Sequence, residues 1–271
     1  MPVPILRAAR GRVAAELPDP FPSLATSRYK VKFRRGQLAM LAGPPGAGKT
    51  NTAVVAVVRM GVPTLYVSAD SDEDTMAART AAAVTGHPVG SIMETISYGL
   101  FAEEYGSQVG RLPVRFVFDP SEPSIADVAN ALEAWVEIES APPGLIVVDN
   151  LMNLKVEVGN EFEAMRQACK DLHYMARKSK ACVLVLHHTS EQNREEIVSA
   201  PPRSAIQGKV SQLPSLILTM ASNDGEMFVA AVKNRFGPQD PLAQAPVRMA
   251  ADFTTCQIHE LKAQKELVWA L

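Results

Sequence analysis

Short apolar runs alternate with longer amphipathic stretches along most of the chain. Runs that are typical of buried strands stand at 38–42 (LAMLA), 64–69 (TLYVSA), 114–119 (VRFVFD), 145–149 (LIVVD) and 181–188 (ACVLVLHH). Stretches with helical periodicity separate them. Because short apolar strands that alternate with helices build a mainly parallel sheet covered on both faces, the pattern predicts an α/β domain.

Polar residues mark where several of these elements begin and end. Ser71 with Asp74, and Ser124 with Asp127, have the spacing of capping boxes and predict helices that run to about residues 86 and 140. Asn160 is predicted to open a long helix to about residue 179. The segment 87–111 yields no assignment.

The last third of the chain has a different signal. Two apolar stretches, 215–221 and 226–233, flank the tetrapeptide SNDG. Its Asp-Gly dipeptide predicts a tight hairpin, so the sheet is expected to end in antiparallel strands at its C-terminal edge.

A proline-rich stretch near the N-terminus predicts a domain boundary. The segment 17–23 (LPDPFPS) follows a short stretch of helical character and is typical of a linker. We therefore expect an N-terminal arm and linker over residues 1–30 and one large domain over 31–271. A chain of 271 residues with 47% hydrophobic content can bury a substantial core.

Charge and cysteine content narrow the class of protein. The net charge of −2 provides no global basic field, so any contact with nucleic acid must come from local loops. The three cysteines are odd in number and form no C-x-x-C pair, which favours a reduced compartment over a disulfide framework or zinc site. No apolar run reaches the length of a membrane span, and the prediction is a soluble, cytoplasmic protein without a membrane partner.

The segment 43–50 (GPPGAGKT) is a complete G-x-x-x-x-G-K-[ST] phosphate loop between a predicted strand and helix. Glycines let successive backbone N–H groups face one anion, and the helix adds its positive N-terminal dipole. Lys49 is expected to reach the β- and γ-phosphates, and the Thr50 hydroxyl to ligate Mg²⁺. The predicted nucleotide-binding residues are Gly43, Pro44, Pro45, Gly46, Ala47, Gly48, Lys49 and Thr50.

A second nucleotide element is predicted at Asp149. The apolar strand 145–149 ends in this carboxylate, about a hundred residues after the phosphate loop. Such a carboxylate emerges beside the phosphates and holds Mg²⁺ through water.

Five blocks in this order, GPPGAGKT, YVSAD, LIVVDNLMNL, VLVLHHTS and KNRFGP, resemble the RecA-like core of DnaB-type hexameric replicative helicases, and in particular the small RepA-type helicases. The resemblance covers about residues 30–260. It implies a RecA-like phosphate-loop NTPase fold that uses ATP and Mg²⁺. It also implies a homo-oligomeric ring, expected to be a hexamer, that translocates on single-stranded DNA.

The resemblance assigns roles to individual residues. Asp70 matches the carboxylate that polarises the attacking water; the family usually has Glu there, and Glu73 is the alternative. His188 matches a γ-phosphate sensor, whereas His187 is expected to pack in the protein. KNRFGP resembles the element that projects a lysine and an arginine, here Lys233 and Arg235, into the neighbouring subunit's nucleotide.

The long polar segment 189–208 matches the family's central-channel DNA loop in position. Arg194, Arg203 and Lys209 are the candidate phosphate contacts, with Lys155 on the loop after Asp149 as a weaker one. Repetition of such cations around a ring would form a basic channel.

Two other functions fit the same motifs. One is a recombination ATPase of the RecA or RadA kind, which binds DNA without unwinding it. The other is a KaiC-like regulatory ATPase with protein partners only.

Overall fold

The computed structural model describes residues 14–118, 123–156, 159–190 and 199–261. Its centre is one mixed sheet of nine strands in the order β3-β2-β4-β5-β1-β6-β7-β8-β9. In chain order, β1 to β9 are Leu38–Gly43, Thr64–Ser68, Val114–Phe118, Leu145–Asp149, Cys182–His188, Leu216–Asn223, Glu226–Asn234, Val247–Asp252 and Gln257–Glu260.

The first six strands pair in parallel, and the remaining pairings are antiparallel. The predicted mainly parallel α/β sheet with antiparallel strands at its C-terminal edge is confirmed. The helices of the described residues, α1 to α7, are Pro22–Thr26, Lys49–Met60, Glu73–Thr85, Val89–Ser97, Phe101–Val109, Ile125–Glu139 and Glu161–Ser179.

Apolar side chains on both faces of the sheet produce two hydrophobic clusters. In β1, Ala39 and Leu41 point to one cluster, while Leu38 and Met40 point to the other. Helices α2 to α5 cover the first face, and α6 and α7 cover the second. Burial on both faces explains why the central strands β1, β4 and β5 are apolar over most of their length.

The predicted hairpin joins β6 to β7. Asp224 and Gly225 have φ values of 47° and 78°, as the two central residues of a type I′ turn require. Two further strands, β8 and β9, extend the antiparallel edge beyond the hairpin and were not predicted.

Two of the three helix starts match their predicted caps. Ser124 and Asp127 form a complete capping box at α6, and Asn160 caps α7. The assignment of Ser71 and Asp74 to a capping box is wrong. Asp72 is the N-cap of α3 and accepts a hydrogen bond from the Thr75 N–H at 2.7 Å, since an acidic cluster offers several carboxylates that can cap.

The proline-rich stretch packs against the domain. The Leu17 N–H donates to the Phe33 carbonyl at 2.8 Å. The Phe21 ring is 5% exposed, and the Arg59 guanidinium lies 5.7 Å from its centroid. Residues 1–13, which hold most of the predicted arm, lie outside the described residues, so the division at residue 30 stays a prediction.

Within the described residues, no helix has the length and apolar character needed to cross a membrane.

We expect Phe21→Ala to lower the free energy of unfolding by about 3–5 kcal/mol, because removal of a buried ring leaves a cavity. Chemical denaturation measures this change. Phe162→Ala is the matched control: Phe162 is 57% exposed on α7, and its truncation should change stability by about 0.5 kcal/mol at most. Equal effects of the two substitutions would show that residues 17–23 do not belong to the folded core.

Candidate nucleotide-binding site

The phosphate loop connects the carboxyl end of β1 to the first residue of α2. Gly46 and Gly48 have φ values of 76° and 81°, in the left-handed region that favours glycine. A Cβ atom on Gly48 would also lie 2.3 Å from the Phe253 ring. The positive φ therefore favours glycine at position 48, and a side chain there would displace the Phe253 ring.

Lys49 opens α2 and is 8% exposed. Its Nζ donates to the carbonyls of Gly43 at 3.1 Å and Pro44 at 3.0 Å. Burial lowers the pKa of this ammonium, while the nearby Asp149 and Asp70 carboxylates oppose the shift. An anionic phosphate would supply a charged partner in place of these neutral carbonyls.

A cavity of about 350 Å³ lies over the loop, within the range of small-molecule sites. Parallel strands place their carboxyl ends at one edge of the sheet, so β1, β2, β4 and β5 all contribute to it. It is lined by Pro45, Gly46, Gly48, Lys49, Thr50, Asn51, Asp70, Arg79, Asp149, Asn150, His188 and Phe253.

Asp149 ends β4 and is 2% exposed. The Tyr66 hydroxyl donates to its Oδ2 at 2.9 Å. Burial raises the pKa of this carboxyl, and hydrogen bonds from Thr50 and Tyr66 counteract the increase. Thr50 and Asp149 thus place a hydroxyl and a carboxylate oxygen together, a donor pair that fits Mg²⁺. These are the residues that would hold the ion, which would supply charge neutralisation at the phosphates.

The two candidate bases differ in position. Asp70 lies two residues after the end of β2 and lines the cavity. Glu73 is the first residue of α3, is exposed and is not among the lining residues. The geometry therefore favours Asp70 over Glu73 for contact with a water near the terminal phosphate.

The adjacent histidines face different surroundings. His187 is fully buried, with its Nε2 3.0 Å from the Gln207 carbonyl oxygen. His188 lines the cavity, where burial and the charge of Lys49 lower its pKa. Its imidazole is therefore neutral at pH 7 and can hydrogen-bond to phosphate. The sensor role stays a prediction.

Four residues of this cavity were not predicted from the sequence. Asn51 and Asn150 directly follow the predicted motifs and could have been found by extending them. Arg79 lies two helical turns into α3, where its guanidinium donates to the Ser71 hydroxyl at 3.0 Å. Phe253 lies on the β8–β9 turn, far from every predicted motif along the chain.

Lys233 and Arg235 lie at the opposite ends of the strands from the phosphate loop, beside the start of β1. Leu216, at the start of β6, pairs with Ala39 near the start of β1 and with Asn234 at the end of β7. The phosphate loop follows the opposite end of β1, which at about 3.3 Å per residue is roughly 15 Å away. Both cations are thus remote from the phosphate loop of their own chain.

Backbone carbonyls hold these two side chains. Lys233 Nζ donates to the carbonyls of Ser211 and Gln212, each at 2.7 Å, and Arg235 Nη2 donates to Gln212 at 3.2 Å. Burial and the charges of Arg235 and Arg203 lower the pKa of Lys233 to about 8. Three positive charges, those of Lys233, Arg235 and Arg203, are therefore concentrated at these ends of the strands.

The structure describes three of the four predicted DNA contacts. Arg203, Lys209 and Lys155 are all exposed, the first two on short 3₁₀ turns after β5 and the third after β4. Arg194 lies outside the described residues. Lys209 shares a 420 Å³ groove with Arg166 and Lys170 of α7, two cations that the sequence analysis did not single out.

A family model described as "AAA domain" matches residues 14–194. The chain is 31% identical over 252 residues to the Gene 65 protein of Mycobacterium phage L5, covering 89% of this chain and 93% of that protein. It is 32% identical over 213 residues to the Gene 65 protein of Mycobacterium phage D29, with coverages of 75% and 90%.

Two solved structures show the same fold. One is a DnaB-like replicative helicase described with its interactions with primase, with a TM-score of 0.77 and 16% identity. The match covers 94% of this chain and 64% of that one. The other is described as an ATPase domain, with a TM-score of 0.76, 16% identity and 94% coverage of both chains. The predicted RecA-like fold of DnaB-type helicases is confirmed.

Lys49→Ala should weaken ATP binding by about 30-fold or more, because loss of one member of a desolvated charge pair costs about 2–5 kcal/mol. Titration calorimetry with ATP and Mg²⁺ measures this change. Lys178→Ala, at an exposed position of α7, serves as the control and should bind normally. Near-normal affinity of Lys49→Ala would contradict the assignment of the phosphate loop.

Proposed function

This chain belongs to the AAA domain family, and on that premise we propose that it is an ATP-driven motor of the DnaB-like helicase group. In this proposal it assembles as a ring, a hexamer, and moves along single-stranded DNA. The observation that supports the proposal is that Lys233 and Arg235 lie at the opposite ends of the strands from the phosphate loop of their own chain.

One edge holds what binding and hydrolysis of ATP require. Lys49 would bind the β- and γ-phosphates, and the Thr50 and Asp149 oxygens would hold Mg²⁺. Asp70 lines the same cavity and would orient the attacking water and accept its proton. His188, neutral at pH 7, would hydrogen-bond to the terminal phosphate and transmit its presence to the segment after β5.

The cavity's only described lining cations are Lys49 and Arg79, while Lys233 and Arg235 lie at the opposite edge. Among the described residues, the hydrogen-bond partners of these two side chains are neutral carbonyls. A neighbouring copy with a nucleotide bound at its phosphate loop could dock against these two side chains. The phosphates of that nucleotide would then replace the neutral carbonyls as partners of Lys233 and Arg235. Repetition of this head-to-tail contact by rotation closes a ring.

The same geometry supports a contact with DNA in the ring. Arg203 and Lys209 follow β5, the strand that carries His188, so a phosphate sensor and candidate DNA contacts belong to one continuous segment. Each subunit has a net charge of only −2, but a ring brings copies of these cations around one channel.

Two assays distinguish this proposal from its rivals. A KaiC-like regulatory ATPase would show no stimulation of hydrolysis by single-stranded DNA. A recombination ATPase would be stimulated but would not displace a strand from a forked duplex. The proposed motor does both.

Replacing Arg203 and Lys209 together by Ala should weaken binding to single-stranded DNA and reduce its dependence on salt, because fewer counterions are released. Basal ATPase activity should persist, since neither residue lines the nucleotide cavity. Fluorescence anisotropy at several salt concentrations measures both effects. The matched control replaces the exposed Arg111 and Lys178 by Ala; if both double variants behave alike, the segment after β5 is not the DNA contact.

Arg235→Ala should retain ATP binding but lose most turnover, on the order of the 10³-fold or more that such arginines contribute in other phosphate-loop enzymes. Lys49→Ala subunits keep Arg235, and Arg235→Ala subunits keep the binding loop. Mixing the two inactive variants should therefore restore part of the ATPase activity. Native mass measurement verifies that mixed assemblies form. Mixed assemblies with no activity above either parent would rule out action on the neighbour's nucleotide.

A further inference from the structure

An apolar groove of about 690 Å³ lies between α6 and α7. α6 packs over β2, and α7 packs over β5 and β1, so the groove lies over β4 between them. Its apolar lining includes Ile125, Leu132, Val136, Pro142, Tyr174 and Met175. Tyr174 is 65% exposed and Val136 is 39% exposed, so apolar surface here faces solvent. An exposed apolar surface with a polar border is typical of a protein-interaction site, and the proposed function does not use this groove.

Acidic side chains border the groove. Glu133 and Glu137 lie one turn apart on α6 and Asp171 lies on α7, while Lys178 is the one lysine or arginine among the lining residues. α6 itself contains no lysine or arginine. Within the part of the chain that the structure describes, none of the salt bridges involves Glu133 or Glu137. The groove therefore fits a partner that combines apolar side chains with positive charge.

Residues 262–271 (KAQKELVWAL) have this chemistry and lie outside the described residues. Their two lysines, Lys262 and Lys265, precede the apolar run LVWAL at 267–271. A tryptophan is the residue type that most often anchors an interface in an apolar pocket. The lysines that precede it can meet the carboxylates at the border of the groove.

The distance from β9 to the groove excludes docking within one chain. The last described residue, Leu261, directly follows β9, which lies six strands from β4 in the sheet. At about 4.8 Å per strand, this separation is roughly 29 Å. Leu267 comes six residues after Leu261, and six residues span at most about 20 Å. The apolar run can therefore reach the groove of a neighbouring copy but not the groove of its own chain.

We infer that the groove between α6 and α7 is the docking site for residues 262–271 of a second copy of the chain. The contact holds copies together at a surface that shares no lining residue with the nucleotide cavity. The inference goes beyond the proposed function, because it requires association of copies and no motor activity. Failure of the proposed motor would therefore leave the following tests unaffected.

Photo-cross-linking of the full chain tests the inference. A photoreactive benzophenone amino acid replaces Trp269 in isotopically light copies, which are mixed with heavy copies that keep Trp269. Native mass measurement verifies that light and heavy copies share assemblies. After irradiation, mass analysis of the peptides should find position 269 of a light copy joined to α6 or α7 of a heavy copy. Light–light products only, products with another surface, or no product would each overturn the inference.

Charge reversal at the border of the groove gives a second test. Glu133→Lys combined with Glu137→Lys in the heavy copies should remove most of the light–heavy product, because these lysines would repel Lys262 and Lys265. Both glutamates are exposed, so the fold should tolerate the change. Adding Lys262→Glu and Lys265→Glu to the light copies should restore the product. Loss without rescue, or no loss at all, would contradict docking of this segment in the groove.

A matched control reverses an acidic pair elsewhere on the surface. Glu103 and Glu104 are exposed on α5 and do not line the groove. Glu103→Lys combined with Glu104→Lys in the heavy copies should leave the yield of the light–heavy product unchanged. An equal loss in this control would mean that the groove variants act only through the net charge of the subunit, which would count against the inference.

Discussion

The buried charges of Lys49 and Asp149 beside the phosphate loop are the constraint on which the rest of the structure depends. An ammonium and a carboxylate removed from water are costly unless hydrogen bonds and opposite charges compensate. Here Lys49 is held by two loop carbonyls, and Asp149 by the hydroxyls of Tyr66 and Thr50. Tyr66 can serve this role because its own ring is fully buried on β2, 5.2 Å from Phe116. The order of the parallel strands, with β2 next to β4, thus brings the Tyr66 hydroxyl within hydrogen-bond distance of Asp149.

The antiparallel strands place residues at both ends of the sheet's strands, because successive strands run in opposite directions. β7 begins at the phosphate-loop edge and delivers Lys233 and Arg235 to the far edge. β8 runs back and delivers Phe253 to the loop. A purely parallel sheet would return its functional residues to one edge only. The C-terminal strands therefore place Phe253 beside the phosphate loop, and Lys233 and Arg235 at the opposite ends of the strands.

Local signals in the sequence predicted the parts of the site that depend on local geometry. The phosphate loop, the strand ending in Asp149, the α6 capping box and the Asp-Gly hairpin each combine a conformational requirement with a residue type that meets it. Phe253 and Arg79 have no such signal, because their positions at the cavity depend on contacts between elements distant in the chain. The proline-rich segment has the same limit: its prolines indicate a break in regular structure, but the tertiary contacts of Leu17 and Phe21 decide that it packs on the core.

The net charge of the chain does not show how its charged side chains are distributed over the structure. The chain is close to neutral, with a net charge of −2, yet burial, together with the charges of the nearby Arg235 and Arg203, lowers the pKa of Lys233 to about 8. Mutual repulsion of this kind disfavours the charged lysine in the isolated subunit. An anion bound at this edge would relieve the repulsion and stabilise the charged form. Arg203, Lys233 and Arg235 therefore form a local concentration of positive charge that the net charge of the subunit does not reveal.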